Sequence, residues 1–254
     1  YNYSLGFLIL FSVFHCGKVK VEYNGYAGIK ELQHSLDLLN GKELAELVNE
    51  EMYNADPSRT DYMKSLSDPV SIGKGYNMLN ALKRTGFYQK HNLSLNGGSK
   101  NAHFRINGNY SSDQPTFIKE DNQNYGLQFI SDFVIGKFKF GETFMIKRTN
   151  RDWSNKNVLV SLQWSPTMPF YDPNHPTGFM GAGNGTTCSN PLAEAHLNWN
   201  KMETTLINGN AWAIYEILPG LNYKLNLGVD YYNTMTQNTN TNMPRAILGD
   251  PNQN

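Results

Sequence analysis

From Val19 onward, apolar and polar residues alternate along the chain with a period of two. Val19, Val21, Tyr23, Ala27 and Ile29 alternate with Lys20, Glu22, Asn24 and Lys30. Leu93 and Leu95 are interleaved with Asn92, Ser94 and Asn96, and Phe104, Ile106 and Tyr110 with His103, Arg105, Asn107 and Asn109. Tyr125, Leu127, Phe129, Phe133 and Ile135 share one parity, as do Phe138, Phe140, Phe144 and Ile146. The most regular run is Leu221, Tyr223, Leu225, Leu227, Val229 and Tyr231, preceded by a less regular segment from Leu206 to Ile217. Successive side chains of a strand point to opposite faces, so this period predicts seven strands, each apolar on one face and polar on the other.

The connections carry a second pattern. Gly97-Gly98-Ser99-Lys100, Gly136-Lys137 and Pro219-Gly220 have the residues of tight hairpins, whereas 30–88, 111–123, 150–203 and everything after Gln237 read as long connections. Counted from Val19, each long connection follows an odd strand and each tight one an even strand. An antiparallel up-and-down transmembrane β-barrel, with short turns at one rim and long loops at the other, has this arrangement. Glu142 falls on the apolar parity of its strand, and Glu216 is read with Trp212 and Ile214 in the same way. Both stand towards tight turns, which predicts positions near the membrane interface, where a carboxylate costs little.

Two segments depart from the strand pattern. Asn40 followed by Glu43 has capping-box spacing, and Leu44, Leu47, Val48 and Met52 recur at helical intervals before Asp56-Pro57. This predicts one packing helix inside the first long loop. Leu5–Phe14 is the only long apolar run, too short for a spanning helix and lacking the flanks of a signal peptide. Residues 1–16 are therefore set apart as an aberrant or truncated leader, with 17–254 as barrel.

Composition agrees with a two-faced wall. Charged residues are only 17% and hydrophobic ones 39%, while Tyr and Phe number 15 and 13. Twenty-two basic residues balance 22 acidic ones, so charge supplies no attraction to nucleic acid.

Catalytic and cofactor chemistry find no anchor in the chain. The histidines are scattered, and Cys16 and Cys188 have no metal-type spacing. The glycines of 178–185 are not followed by the Lys-Ser/Thr of a phosphate loop, and no nucleophile elbow is present. No enzyme activity, cofactor or metal is expected. The loop 150–203 holds the candidate contact residues: Trp153, Trp164, Phe170, Tyr171 and Trp199. Such rings either stack on sugars and peptide side chains or pack the loop against itself.

Several blocks occur in an order similar to that of the SusC/RagA family of TonB-dependent outer-membrane transporters. They are Gly17–Tyr26, Leu36–Asn40 with the helix Glu43–Glu50, His91–Ser99, Ser165–Asp172, and Pro219–Leu221 with Gly228–Tyr231. The most specific is His91-Asn92-Leu93-Ser94-Leu95-Asn96-Gly97-Gly98-Ser99, which resembles a family strand-and-turn motif. The resemblance implies a fragment covering the first part of a large barrel, without its plug domain, in the bacterial outer membrane. It implies import of oligosaccharides or peptides, a SusD-like lipoprotein partner, TonB acting through the missing N-terminal region, and contact with outer-membrane lipid. Two other readings share the alternation: another outer-membrane barrel (porin or adhesin translocator), and a secreted carbohydrate-binding β-sandwich. The sandwich requires its apolar strand faces to be buried in protein.

Overall fold

A computed structural model describes residues 4–16, 19–33, 36–58, 66–154, 158–181 and 189–241. Eight strands form one antiparallel sheet in sequence order: β1 (Ser4–Cys16), β2 (Val19–Lys30), β3 (Gly86–Ser99), β4 (Ala102–Gln114), β5 (Glu120–Ile135), β6 (Phe138–Trp153), β7 (Trp199–Leu218) and β8 (Leu221–Thr239). The sheet is open, because β1 and β8 are not neighbours. Strands β2 to β8 are the seven read from the alternation. β1 is an eighth, paired with β2 from Ser4↔Lys30 to Cys16↔Val19, so the segment set apart as a leader has a place in the sheet. An apolar run without alternation carries no strand period of its own; its pairing with β2 supplies the assignment.

The rims sort as expected, with one loop shorter than its composition suggested. The connection read as 111–123 shrinks to 115–119, because polar residues continue the ladder through Ser111↔Asn124, Ser112↔Gln123 and Asp113↔Asn122. In the same way β7 starts at Trp199 and β8 runs on to Thr239. Hydrophobic alternation marks the part of a strand that needs a greasy face. Backbone pairing extends further, since hydrogen bonds are required wherever the main chain is shielded from water.

Register aligns the apolar residues of the seven strands into a band. One row reads Ile135, Phe138, Tyr215, Tyr223; the next reads Phe133, Phe140, Ala213, Leu225; higher rows include Phe129, Phe144, Gly209, Val229 and then Leu127, Ile146, Ile207, Tyr231. Above Tyr125 and Arg148 the same face becomes polar, with Gln123, Asn150 and Glu203 in the next row. From Phe138 to Arg148, at about 3.3 Å per residue and a tilt of about 40°, the band is roughly 25 Å tall, the height of a bilayer-spanning barrel face. Leu227 is 63% exposed and Val229 60%, and no described element covers this face.

The two glutamates separate. Glu216 pairs with Asn222 and lies on the polar face, where Trp212 and Ile214, like Met202 and Leu206, are apolar exceptions. The irregular alternation of β7 concealed this parity. Glu142 does lie on the apolar face, between Phe140 and Phe144, but inside the band rather than at its edge. It accepts a hydrogen bond from Ser131 Oγ at 3.1 Å.

Helix α1 (Gly41–Ala55) forms as the capping box predicts: Glu43 N–H donates to Asn40 Oδ1 at 3.0 Å, and Asn40 N–H to Glu43 Oε2 at 2.9 Å. Its buried residues are Gly41 and Ala45, whereas Leu47 faces solvent, so the packed stripe is rotated from the one read by hydrophobicity. Gly41 and Lys42 donate their backbone N–H groups to the carbonyls of Lys74 and Gly73. Those bonds seat the helix N-terminus on the turn after α2 (Pro69–Ile72). With α3 (Met78–Leu82), α4 (Pro191–Leu197) and a 3-10 turn at Val160–Gln163, these pieces gather at the long-loop rim. The hydrophobic core of the described chain is there: Met78, Leu82, Trp164, Leu192 and Ala195, with Phe117, Met168 and Phe170 packed against it.

Candidate functional site

The rim loops converge into one layer. Tyr76 N–H donates to Pro166 O at 2.7 Å and the Tyr76 ring meets Phe170 edge-on at 5.3 Å, joining the first long loop to the aromatic loop between β6 and β7. The short 115–119 loop joins through Ile118 N–H to Leu82 O at 3.0 Å and Arg84 Nε to Pro115 O at 3.0 Å. Trp164 is 4% exposed and donates its Nε1–H to Met168 O at 3.2 Å.

The five aromatic candidates therefore occupy different places. Trp164 is in the loop core and Phe170 is packed against it. Tyr171 is 55% exposed and lies against Phe179 at 5.4 Å. Trp153 ends β6 opposite Asn200, on the polar face, with Arg151 over its ring at 5.2 Å. Trp199 begins β7 on the opposite face, beneath Lys201 Nζ at 5.1 Å. Trp153 and Trp199 thus stand at the same rim and look to opposite sides of the sheet. The glycine-rich stretch is described only as far as Gly181; its remaining residues and Cys188 lie outside the described segments.

Asn190 is a residue that the aromatic inventory missed. It is 1% exposed, and all of its side-chain hydrogen-bonding groups are engaged. Its Nδ2 donates to Phe170 O and Met180 O, both at 2.9 Å, while its Oδ1 accepts from Leu192 N at 3.0 Å and Ala193 N at 3.2 Å. It caps α4 and ties the two arms of the aromatic loop together. The local signal was present, since Asn followed by Pro is an N-cap followed by a proline at the first helical position.

The polar face of the sheet is a ladder of amides and hydroxyls. Ser94 Oγ donates to Asn107 Oδ1 at 2.7 Å, and Asn107 Nδ2 to Gln128 Oε1 at 3.1 Å, which links β3, β4 and β5 through one row. Thr149 Oγ1 donates to Asn124 at 2.8 Å, and Thr204 pairs with Thr234 at 3.0 Å. Three ion pairs lie on this face: Lys30 with Asp113 at 2.5 Å, Lys20 with Glu22, and His103 with Asp132 at 3.0 Å. Such a surface offers donors and acceptors to water or to a hydroxyl- or amide-rich solute.

No family model matches the chain. It is 22% identical over 231 residues to the TonB-dependent receptor P3 of Formosa agariphila, covering 85% of this chain and 21% of that protein. It is 23% identical over 244 residues to the TonB-dependent receptor SusC of Bacteroides thetaiotaomicron, covering 83% of this chain and 22% of that protein. The chain therefore spans about a fifth of the length of the curated relatives it matches. Among solved structures, it superposes on the RagAB peptide importer in the closed-closed state with a TM-score of 0.64 at 18% identity, covering 92% of this chain and 30% of that one. The open-open state gives a TM-score of 0.65 at 17% identity with the same coverages.

Proposed function

We propose, on the premise that this chain is SusC/RagA-like barrel wall of the bacterial outer membrane, that it lines the pathway of an energised nutrient importer. The observation that carries this reading is the sorting of one sheet into an uncovered apolar band and a hydrogen-bonding wall. A soluble protein would bury the first. A pore needs both, because lipid cannot solvate backbone or polar side chains and a passing hydrophilic solute cannot use a greasy wall.

The cargo in this reading is an oligosaccharide or a peptide. Hydroxyls and peptide groups are the partners that the amide ladder is built to meet, and Trp153 adds a ring at its upper end. A SusD-like lipoprotein would close over the layer of rim loops, and TonB would act through a plug outside this segment. The wall binds and guides; it makes and breaks no covalent bond.

The test is genetic and uses the full-length protein. Cells lacking it should lose uptake of one class of labelled oligosaccharide or peptide, and disruption of TonB should give the same loss. Uptake that persists without TonB would indicate a passive porin instead. Undiminished uptake of every oligosaccharide and peptide offered would remove the importer reading. Co-purification of a lipoprotein with the tagged receptor checks the partner separately.

A further inference from the structure

The polar face divides into two halves of different charge. Toward the tight turns, four strand carboxylates stand among four lysine and arginine side chains, Lys20 with Glu22 for example. Toward the long loops the balance is lost. From the row of Asn92 and Lys147 to the rim, the described strand residues of this face include Lys30, Lys90, Lys147 and Arg151 against Asp113 and Glu120. Asp113 is held by Lys30 at 2.5 Å, and Glu120 stands one row beyond Arg151, opposite Trp153. Lys90, Lys147 and Arg151 are exposed, and none of them forms an ion pair among the described residues.

These three cations form a triangle. Thr149 lies in the row of Lys90, three strands away, through Lys90↔Ser111, Ser111↔Asn124 and Asn124↔Thr149. Lys147 and Arg151 flank Thr149 on β6 with the same parity. Strands about 4.8 Å apart, rising about 3.3 Å per residue, set the three backbone positions roughly 13–16 Å from one another. One small anion cannot bridge them, whereas an oligomer with several anionic groups spans all three. Pairing on both sides of β3 to β6 consumes the backbone, so a ligand meets side chains alone. Between the cations these are hydroxyls and amides, with Tyr26 edge-on to Tyr88 at 5.9 Å beside Lys90. Sugars give hydroxyls to the first two and a C–H face to the rings.

We infer that the outer half of this wall binds an anionic oligosaccharide, whose carboxylate or sulfate groups meet Lys90, Lys147 and Arg151. The inference rests on the reading of this wall as the lining of an importer, and it names the cargo of that same surface. Oxyanions are the partners that ammonium and guanidinium groups take most strongly, Arg151 in a forked geometry. The excess of cations lies on the half nearest the long loops, where it draws an acidic chain inward before the charges balance below.

The experiment measures binding of short oligosaccharides of one length to the purified full-length receptor. The panel holds uronate-bearing, sulfated and neutral members, with an oligoglutamate as the acidic peptide. Wild type should bind an anionic oligosaccharide more tightly than its neutral counterpart, by a margin that shrinks as salt rises. Lys90→Gln, Lys147→Gln and Arg151→Gln should each weaken that binding about fivefold, the worth of one exposed ion pair. Positions so far apart add, so the triple variant should lose roughly a hundredfold while its affinity for neutral oligosaccharides is unchanged. Lys90→Arg, Lys147→Arg and Arg151→Lys together should keep the preference for anions. A wild type that favours neutral oligosaccharides would overturn the proposal, as would undiminished anion binding by the triple glutamine variant. Preference for oligoglutamate would overturn it in favour of an acidic peptide. Equal loss of neutral and anionic binding in the triple variant would place the cations in contacts within the protein. Failure to bind or import any oligosaccharide or peptide would instead refute the importer reading beneath it.

Discussion

Glu142 shows how much a single residue's meaning depends on its row. A carboxylate in the middle of a bilayer-facing band is unfavourable, and Ser131 Oγ donates a hydrogen bond to it. Glu142→Leu in the full-length barrel should stabilise folding into lipid vesicles by roughly 1–2 kcal/mol, less than the two or more that basic residues show at the same depth. Urea titration of the reconstituted protein measures this, and a destabilised variant would place Glu142 in a working contact rather than against lipid. Asn190 has the opposite character. Its amide satisfies two carbonyls and two N–H groups in a dry setting, so Asn190→Ala should cost roughly 2–4 kcal/mol of local stability, from the lost cap and the stranded carbonyls. Hydrogen exchange at Phe170, Met180 and the first turn of α4 should rise, while the strands remain protected.

At the scale of elements, the turns and the loop core are separable. Gly136 and Gly220 adopt φ of +58° and +88° at the tight β5–β6 and β7–β8 hairpins. Gly136→Val would force a β-branched residue into the left-handed region, at roughly 1–2 kcal/mol. A slower return to the heat-resistant folded form on gels is the expected result. In the rim layer, Trp164→Ala should remove about 3–5 kcal/mol of packing from the cluster around Leu82 and Leu192. Proteolysis between residues 158 and 181 should then accelerate without altering the barrel's electrophoretic behaviour. Cargo affinity lowered by Trp153→Ala but not by Trp199→Ala would fit their opposite faces; the reverse order would place the cargo outside the polar wall.

The whole sheet has two open edges, and each is a row of backbone groups with no strand partner among the described residues. In hydrocarbon every such group costs several kcal/mol, so β1 and β8 must meet other strands before the wall can persist in a membrane. The 254-residue chain by itself is therefore expected to give no stable single-channel conductance in planar bilayers. Defined current steps from the purified chain would contradict that and show that eight strands close upon themselves. The coverages agree with an incomplete ring: the chain matches 30% of the RagAB chain in the closed-closed state, whereas it is itself covered to 92%.

Local sequence by itself determined where strands β2 to β8 lie, which rim carries the tight turns, and where α1 begins, because alternation, glycine-bearing turns and capping boxes are properties of a few adjacent residues. It did not determine β1, whose unbroken apolar run acquires a strand identity only from β2, nor the parity of Glu216, which register with β8 decides. The ends of β4 and β5 were equally hidden, since polar residues pair there without needing a greasy face. The aromatic loop was found as a segment, but the place of each ring in it was not. Only the packing of separate loops distinguishes Trp164 in a core from Tyr171 on a turn, and only strand register sends Trp153 and Trp199 to opposite sides.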